Sequence, residues 1–213
     1  MRPGWHSEGM AESAEQVYER VMSVADAEGR LPLPEIAGWD VFPWEVVDGV
    51  LRPKVLAPPA PEKPRNGEAG TVGCHACAVP DERVVWEDEH WQLIHLGGPS
   101  GLPVVLMLNT REHLDAGELS DDLASELGRI TNRLVRIIEG LDGVGRCHVN
   151  RWGDGGRHFH LWFFGRTKGL ATILGSYAVE WDEVLPPVPE DLWRDDLHTI
   201  ATKLANWGGD ARY

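Results

Sequence analysis

The chain is short of several things, and each shortage excludes something. It has three cysteines in 213 residues, too few and odd in number for a disulfide framework, so a reducing cytoplasm is the expected compartment. No run of about 18 apolar residues occurs, which argues against a membrane-spanning helix. The first residues, Met1 to Glu8, hold no apolar signal core, and secretion is not expected. Positive charge is scarce: 20 Lys and Arg stand against 34 Asp and Glu, for a net charge of −14. Such a chain is not suited to coating a nucleic acid or lying on an anionic membrane. What remains is ordinary for a globular protein, at 42% hydrophobic and 25% charged residues. The length fits one domain, or one domain with an added segment. Charge has one local exception. Between residues 143 and 166, Arg146, Arg151, Arg157 and Arg166 face the single acid Asp154. A small basic pocket in an acidic protein suits a small anion, and a chance cluster is the alternative.

Periodicity gives the organisation. Ala14, Val17, Val21, Val24 and Ala25 predict an amphipathic helix over 11–28, with Gly29 able to end it. Residues 31–70 carry eight prolines and no long period, so an irregular arm is expected, packing through Trp39, Phe42 and Trp44, then a turn-rich linker over 58–72. A hairpin is predicted from Arg83–Trp86 and Trp91–Leu96, and a central strand from Pro103–Leu108. Ser120 caps a helix over 121–139, where Leu123, Leu127, Ile130, Leu134, Ile137 and Ile138 form one stripe and Gly140 follows. Strands over 146–152 and 157–165 are joined by Gly153–Gly156, and a last helix spans 190–206. The order β-β-β-α-β-β, with a helix added at each end, predicts an α+β fold: an antiparallel sheet of about five strands, one main helix on a face, and helical extensions at both termini. The expected units are 1–70 (helix and arm), 71–166 (sheet and helix) and 167–213 (helical extension).

Two clusters could carry chemistry. Cys74-His75-Ala76-Cys77 puts two thiols at the spacing of a metal knuckle. The same spacing serves redox sites, but those usually open a helix, and Ala78-Val79-Pro80 follows here, so metal is favoured. Two further ligands must then be histidine or carboxylate, because Cys147 stands alone inside a strand. In Arg157-His158-Phe159-His160-Leu161-Trp162-Phe163-Phe164, strand alternation places His158, His160, Trp162 and Phe164 on one face and Phe159, Leu161 and Phe163 toward the core. A solvated strand face is the plainer reading of that histidine pair. Of the ten tryptophans, most are expected as core or docking anchors, with Trp152 and Trp162 able to stack on a base.

The order of these pieces resembles the histidine triad (HIT) superfamily, and looks closer to its zinc-containing members and its galactose-phosphate uridylyltransferase branch. The resemblance runs from about 72 to 166. It includes the CxxC, the opening strand region Val85-Trp86-Glu87-Asp88, the stretch from Val104 through Asn109 to His113, Asn150, the Gly153–Gly156 loop, and the His158/His160 pair. It implies a structural zinc ion held by Cys74, Cys77, His113 and His158, a closed tetrahedral set. His75 is read as a non-ligand and His148 as the substitute if one ligand is wrong. It implies that His160 is the nucleophile, attacking a nucleotide α-phosphorus to form a nucleotidyl-histidine. One ring nitrogen would keep its proton on a backbone carbonyl. Asn150, Gly155, Gly156, Arg157 and Trp162 would meet the nucleotide or its phosphate, with Arg151 adding charge. A small nucleotide is the expected partner, and a homodimer is implied, unless the terminal segments cover the sheet edge.

Three departures bear on activity. The third triad position is Trp162, where relatives carry histidine or glutamine; an indole has one donor and no acceptor, so it could bond a phosphate oxygen, stack on a ring, or fill the pocket. Arg157 directly precedes His158, and Phe159 stands where the uridylyltransferase branch tends to have proline. The reading is therefore a HIT-like nucleotidyl hydrolase or transferase acting on a nucleoside phosphate ester, anhydride or phosphoramidate. Its rivals are a silent nucleotide-binding module with the same zinc and a zinc-stapled interaction protein.

Overall fold

A computed structural model describes residues 11–34 and 42–213. In chain order the elements are α1 (Ala14–Met22), β1 (Trp44–Val47), β2 (Val50–Pro53), β3 (Val84–Glu87), β4 (Trp91–His95), β5 (Val104–Thr110), α2 (Asp121–Glu139), β6 (Val144–Asn150), β7 (His160–Thr167), α3 (Tyr177–Val184), α4 (Glu190–Ala205) and β8 (Asp210–Ala211). Six strands form one sheet in the order β6-β7-β5-β4-β3-β8, and every pairing is antiparallel. The α+β architecture is the expected one. The sixth strand is β8, two residues long and too short to read as a strand from sequence.

Period-two alternation in β5 divides the core. Val104, Leu106 and Leu108 join Phe159 and Phe163 on one face, under Leu134 and Ile138 of α2 and Leu197, Ile200 and Leu204 of α4. On the other face Val105 and Phe164 pack with Val17 and Val21 of α1, and with Leu102, Ile173, Ala178 and Leu185. Each fully buried aliphatic side chain contributes about 1.5–3 kcal/mol. Helix α2 forms where its stripe predicts. The Ser120 hydroxyl accepts the Leu123 N–H at 3.2 Å, Asp121 and Asp122 sit in the first turn, and Gly140 caps the other end. The C-terminal segment shares the main core: α4 supplies five buried residues and β8 pairs with β3.

Four local expectations need correction. Helix α1 stops at Met22, not near residue 28, because the Asp26 carboxylate accepts the Glu28 and Arg30 N–H groups and winds the chain into a turn. Val24 is consequently exposed. Within the arm, β1 and β2 form an antiparallel hairpin where irregular chain is expected. Its two-residue loop, Asp48-Gly49, has φ of 51° and 74°, the doubly positive pattern of a type I′ turn. Trp44 of the hairpin is partly exposed and does not anchor the arm in the core; Trp39 lies outside the described residues. Helix α3 is an addition to the expected elements, eight residues long with a single buried residue, Ala178, and so without a readable apolar stripe. Finally, β7 begins at His160, so His158 precedes the strand rather than lying within it.

Candidate metal centre and the His160 strand

Three segments far apart in sequence converge at the start of β7. The knuckle 74–77 runs into a single turn of 3-10 helix over Ala76–Ala78. The chain leaving β5 delivers His113, and the Phe159 N–H bonds the Leu114 carbonyl at 2.6 Å, tying the β7 approach to that segment. The ligand atoms of Cys74, Cys77, His113 and His158 lie within 4.8 Å of one another. Sulfur-to-Nδ1 distances are 3.5 Å for Cys74–His158, 3.3 Å for Cys77–His113 and 3.4 Å for Cys77–His158. Tetrahedral zinc with bonds of about 2.3 Å to sulfur and 2.0–2.1 Å to nitrogen has S···N edges of about 3.6 Å. The spacing therefore fits a metal of that size.

The surroundings aim these ligands. His158 Nε2–H donates to the Thr110 carbonyl at 2.7 Å, and His113 Nε2–H donates to the Gly67 carbonyl at 3.1 Å. A carbonyl only accepts, so both rings carry their proton on Nε2 and turn an Nδ1 lone pair inward. Burial holds the His158 imidazole below its ordinary pKa, and the neighbouring His113 and His160 act in the same direction. Burial, then the adjacent Cys74, push the Cys77 thiol up to about 11. Two thiols side by side resist becoming two thiolates, and a bound cation reverses that preference. Gly67 has φ of 77°, and a Cβ there would meet His113 Cε1 at 3.0 Å and Cys74 Sγ at 3.1 Å, so only glycine fits against the cluster.

His75 is exposed and outside the cluster, and its N–H bonds Asn66 Oδ1 at 2.8 Å. His148 is also outside it, paired across β6–β7 with Phe164. Cys147 lies apart in β6, its thiol pushed up to about 12 by burial and Glu139.

His160 lies two residues on, half-buried. Its Nδ1–H donates to the His158 carbonyl at 2.8 Å, which leaves the Nε2 lone pair for chemistry. Gly156 faces this ring, with a would-be Cβ 3.6 Å from His160 Cε1. Register places Asn109 beside His160, Met107 beside Trp162, and Asn150 on the other side of Trp162. Trp162 stacks on Phe164, centroids 5.6 Å apart and planes at 12°, while Trp152 meets both rings edge-on. Phe164 shares the face of His160 and Trp162, as alternation predicts, and is buried there in the second core.

The loop cations all have acidic partners. Arg157 pairs with Glu118 at 2.6 Å, and Arg151 and Arg65 both pair with Asp115 at 2.8 Å. The sequence showed the arginines but not these acids, which lie some 36 to 50 residues away. It marked Asn109 only as part of the stretch leading to His113, with no role of its own. That side chain is fully buried, and neither its Nδ2 nor its Oδ1 has a partner among the described residues.

No family model matches the sequence, and no curated protein matches it. Solved structures do. A histidine triad nucleotide-binding protein from Sulfolobus tokodaii is similar at 18% identity over 62% of this chain and 93% of that one, with a TM-score of 0.44. A zinc-bound histidine triad family protein from Mycobacterium smegmatis is similar at 19% identity, over 62% and 96% of the two chains, with a TM-score of 0.45. A uridylyltransferase is similar at 13% identity, covering 63% of this chain and 45% of that one, with a TM-score of 0.42. These likenesses are distant, and the chemistry of the site rests on its own geometry. The arrangement itself is a six-stranded antiparallel α+β sheet carrying a Cys2His2 cluster that could bind a metal.

Proposed function

We propose that this protein is a HIT-like nucleotidyl hydrolase or transferase, with His160 as nucleophile and a structural zinc ion at Cys74, Cys77, His113 and His158. The observation that carries this reading is the His160 ring, whose Nδ1 proton is held by the His158 carbonyl at 2.8 Å. A neutral imidazole fixed in that tautomer offers Nε2 to an electrophile without first losing a proton. Nε2 attacks the α-phosphorus of a nucleoside ester, anhydride or phosphoramidate. An N–P bond forms, and the bond to the leaving group breaks with its electron pair. Water or an acceptor phosphate then attacks the same phosphorus and returns the electron pair to Nε2. Loop amides at Gly155 and Gly156 would stabilise the equatorial oxygens, and Asn150 would position the phosphate. Arg157 and Arg151 would join only by exchanging Glu118 and Asp115 for the phosphate. The zinc ion, once bound, supplies a closed four-coordinate staple and no open position for water.

The test is nucleotide release, followed by chromatography, from nucleoside phosphoramidates, dinucleoside polyphosphates and nucleotide sugars. Turnover by the wild type and none by His160→Ala is expected. Equal turnover in both would sink the assignment. One observation favours a silent nucleotide-binding module instead: Trp162, at the third triad position, is already stacked on Phe164. A folded, zinc-loaded wild type that binds AMP and turns over none of the panel would favour that second reading.

The proposed setting is the cytoplasm; no helix among the described residues is long and apolar enough to cross a membrane. A homodimer would pair through the outer strand β6, because β8 closes the opposite side of the sheet against β3. Size-exclusion with light scattering reads its mass directly.

A further inference from the structure

We propose that Asn66 is a clasp between the metal centre and the loop beside His160, so that metal occupancy and phosphate binding reinforce each other. The inference rests on the functional reading above and adds a regulatory link within that site.

Asn66 bonds in two directions. Its backbone N–H donates to the Gly155 carbonyl at 2.9 Å, and its carbonyl accepts the Arg157 N–H at 2.9 Å, forming a parallel bridge to Gly156. Its side chain grips the knuckle on both sides of Cys74. Nδ2 donates to the Gly73 carbonyl, and Oδ1 accepts the His75 N–H, both at 2.8 Å. The flanking residues divide the two directions between them. The Gly67 carbonyl holds the ligand His113 through its Nε2 at 3.1 Å. Arg65 pairs with Asp115 at 2.8 Å and donates to the Gly153 carbonyl at 3.4 Å. Gly67 thus meets the metal cluster, Arg65 meets the 153–157 loop, and Asn66 between them joins the two.

Neither partner holds itself. The knuckle's only regular structure is a three-residue 3-10 turn, too short to be stable alone. The loop joins β6 to β7 without a helix or strand of its own, and Gly156 within it lies against the His160 imidazole. A metal ion fixes Cys74, Cys77 and His113, which fixes 65–75, which fixes Gly155 to Arg157 through Asn66. Thermodynamic reciprocity then requires an anion ordering that loop to tighten the metal. The anion class is the phosphate group of a nucleotide.

The experiment is hydrogen exchange on the full chain, zinc-loaded and chelator-stripped, in the wild type, Asn66→Ala and Asn66→Asp. Metal removal is expected to speed exchange of the Asn66 and Arg157 amides by about tenfold or more, while α2 amides hold. Asn66→Ala is expected to keep one zinc per chain yet show fast Arg157 exchange with the metal bound. Asn66→Asp keeps the acceptor for His75 and should fall between the two. Wild-type loop exchange that ignores the metal, or a zinc-loaded Asn66→Ala with normal Arg157 protection, overturns the clasp. If stripping the metal also releases α2, the zinc-loaded variants alone decide. A second arm measures zinc affinity by chelator competition with and without AMP. Tightening by several-fold in the wild type and none in Asn66→Ala is expected. Coupled exchange without any AMP effect keeps the mechanical clasp and overturns the phosphate half of the proposal. The exchange arm reads no turnover, so it stands or falls independently of catalysis at His160.

Discussion

His158 and His160 are two residues apart and belong to opposite kinds of environment. His158 is 2% exposed, with Nε2 on the Thr110 carbonyl and Nδ1 facing two sulfurs. Its surroundings use every polar atom it has. His160 is half-buried and commits only Nδ1. Around it the sheet face holds polar capacity in reserve: the Asn109 amide and His148 Nε2 are buried without partners among the described residues. An unpaired buried amide costs about 1–3 kcal/mol, and the His160 face carries that cost at Asn109. The stapled side is not fully saturated, since Thr110 Oγ1 is also buried without a partner among the described residues, but the two ring nitrogens of His158 are both engaged where His160 leaves one free.

Breaking the stapled side should have the largest effect. Cys74→Ser, or chelation of the wild type, is expected to lower the thermal midpoint by ten degrees or more, because structural zinc contributes about 10–16 kcal/mol of apparent binding energy in small domains. Calorimetry with metal analysis checks it, and an unchanged midpoint would show that the cluster carries no structural metal.

On the other side, His160→Ala should cost about three orders of magnitude or more in turnover while shifting the midpoint by no more than a few degrees. A variant that melts early would mean that His160 is structural after all. Between the two sides lies Asn109→Leu. Filling that position with an apolar side chain of similar size should stabilise the protein by about 1–3 kcal/mol, read by urea denaturation. Destabilisation would mean that the amide has a partner, such as an ordered water, in solution.

The smallest effect concerns pH. His95 is buried, donates Nε2–H to the Glu82 carbonyl and accepts the Gly97 N–H, both at 3.0 Å. Desolvation holds its pKa below the ordinary histidine value of about 6.5. The unfolded chain therefore binds the proton first, and stability falls as pH drops below about 6.5 toward the folded value. His95→Gln should flatten that fall in the zinc-loaded protein, measured as midpoint against pH between 7 and 5; a parallel curve would remove His95 as its cause.

Much of this was legible in the sequence because the signals are local. Helix α2 follows from its stripe and Ser120, and the Cys74/Cys77 spacing announces a knuckle. The β1–β2 hairpin has a local signal too: Asp48-Gly49 between apolar runs is a strong short-range turn signal, although its four-residue strands are too short to show a long period. Other features had no local signal. The ion pairs of Arg65 and Arg151 with Asp115 span 50 and 36 residues, and Asn66 meets Gly155 and Arg157 across some ninety. No period or spacing encodes a contact at that distance.

The sequence by itself determined the chemical inventory and its local geometry: which residues could bind metal, which nitrogen-bearing strand follows the glycine loop, and which stripes must be buried. Side-chain type and short-range backbone preference suffice for that. Only the tertiary structure decided which ring nitrogen of His160 is free, that the loop arginines are already neutralised, and that Asn66 joins loop to knuckle. Those outcomes depend on long-range packing, where each polar group takes whichever partner the folded chain brings within about 3 Å.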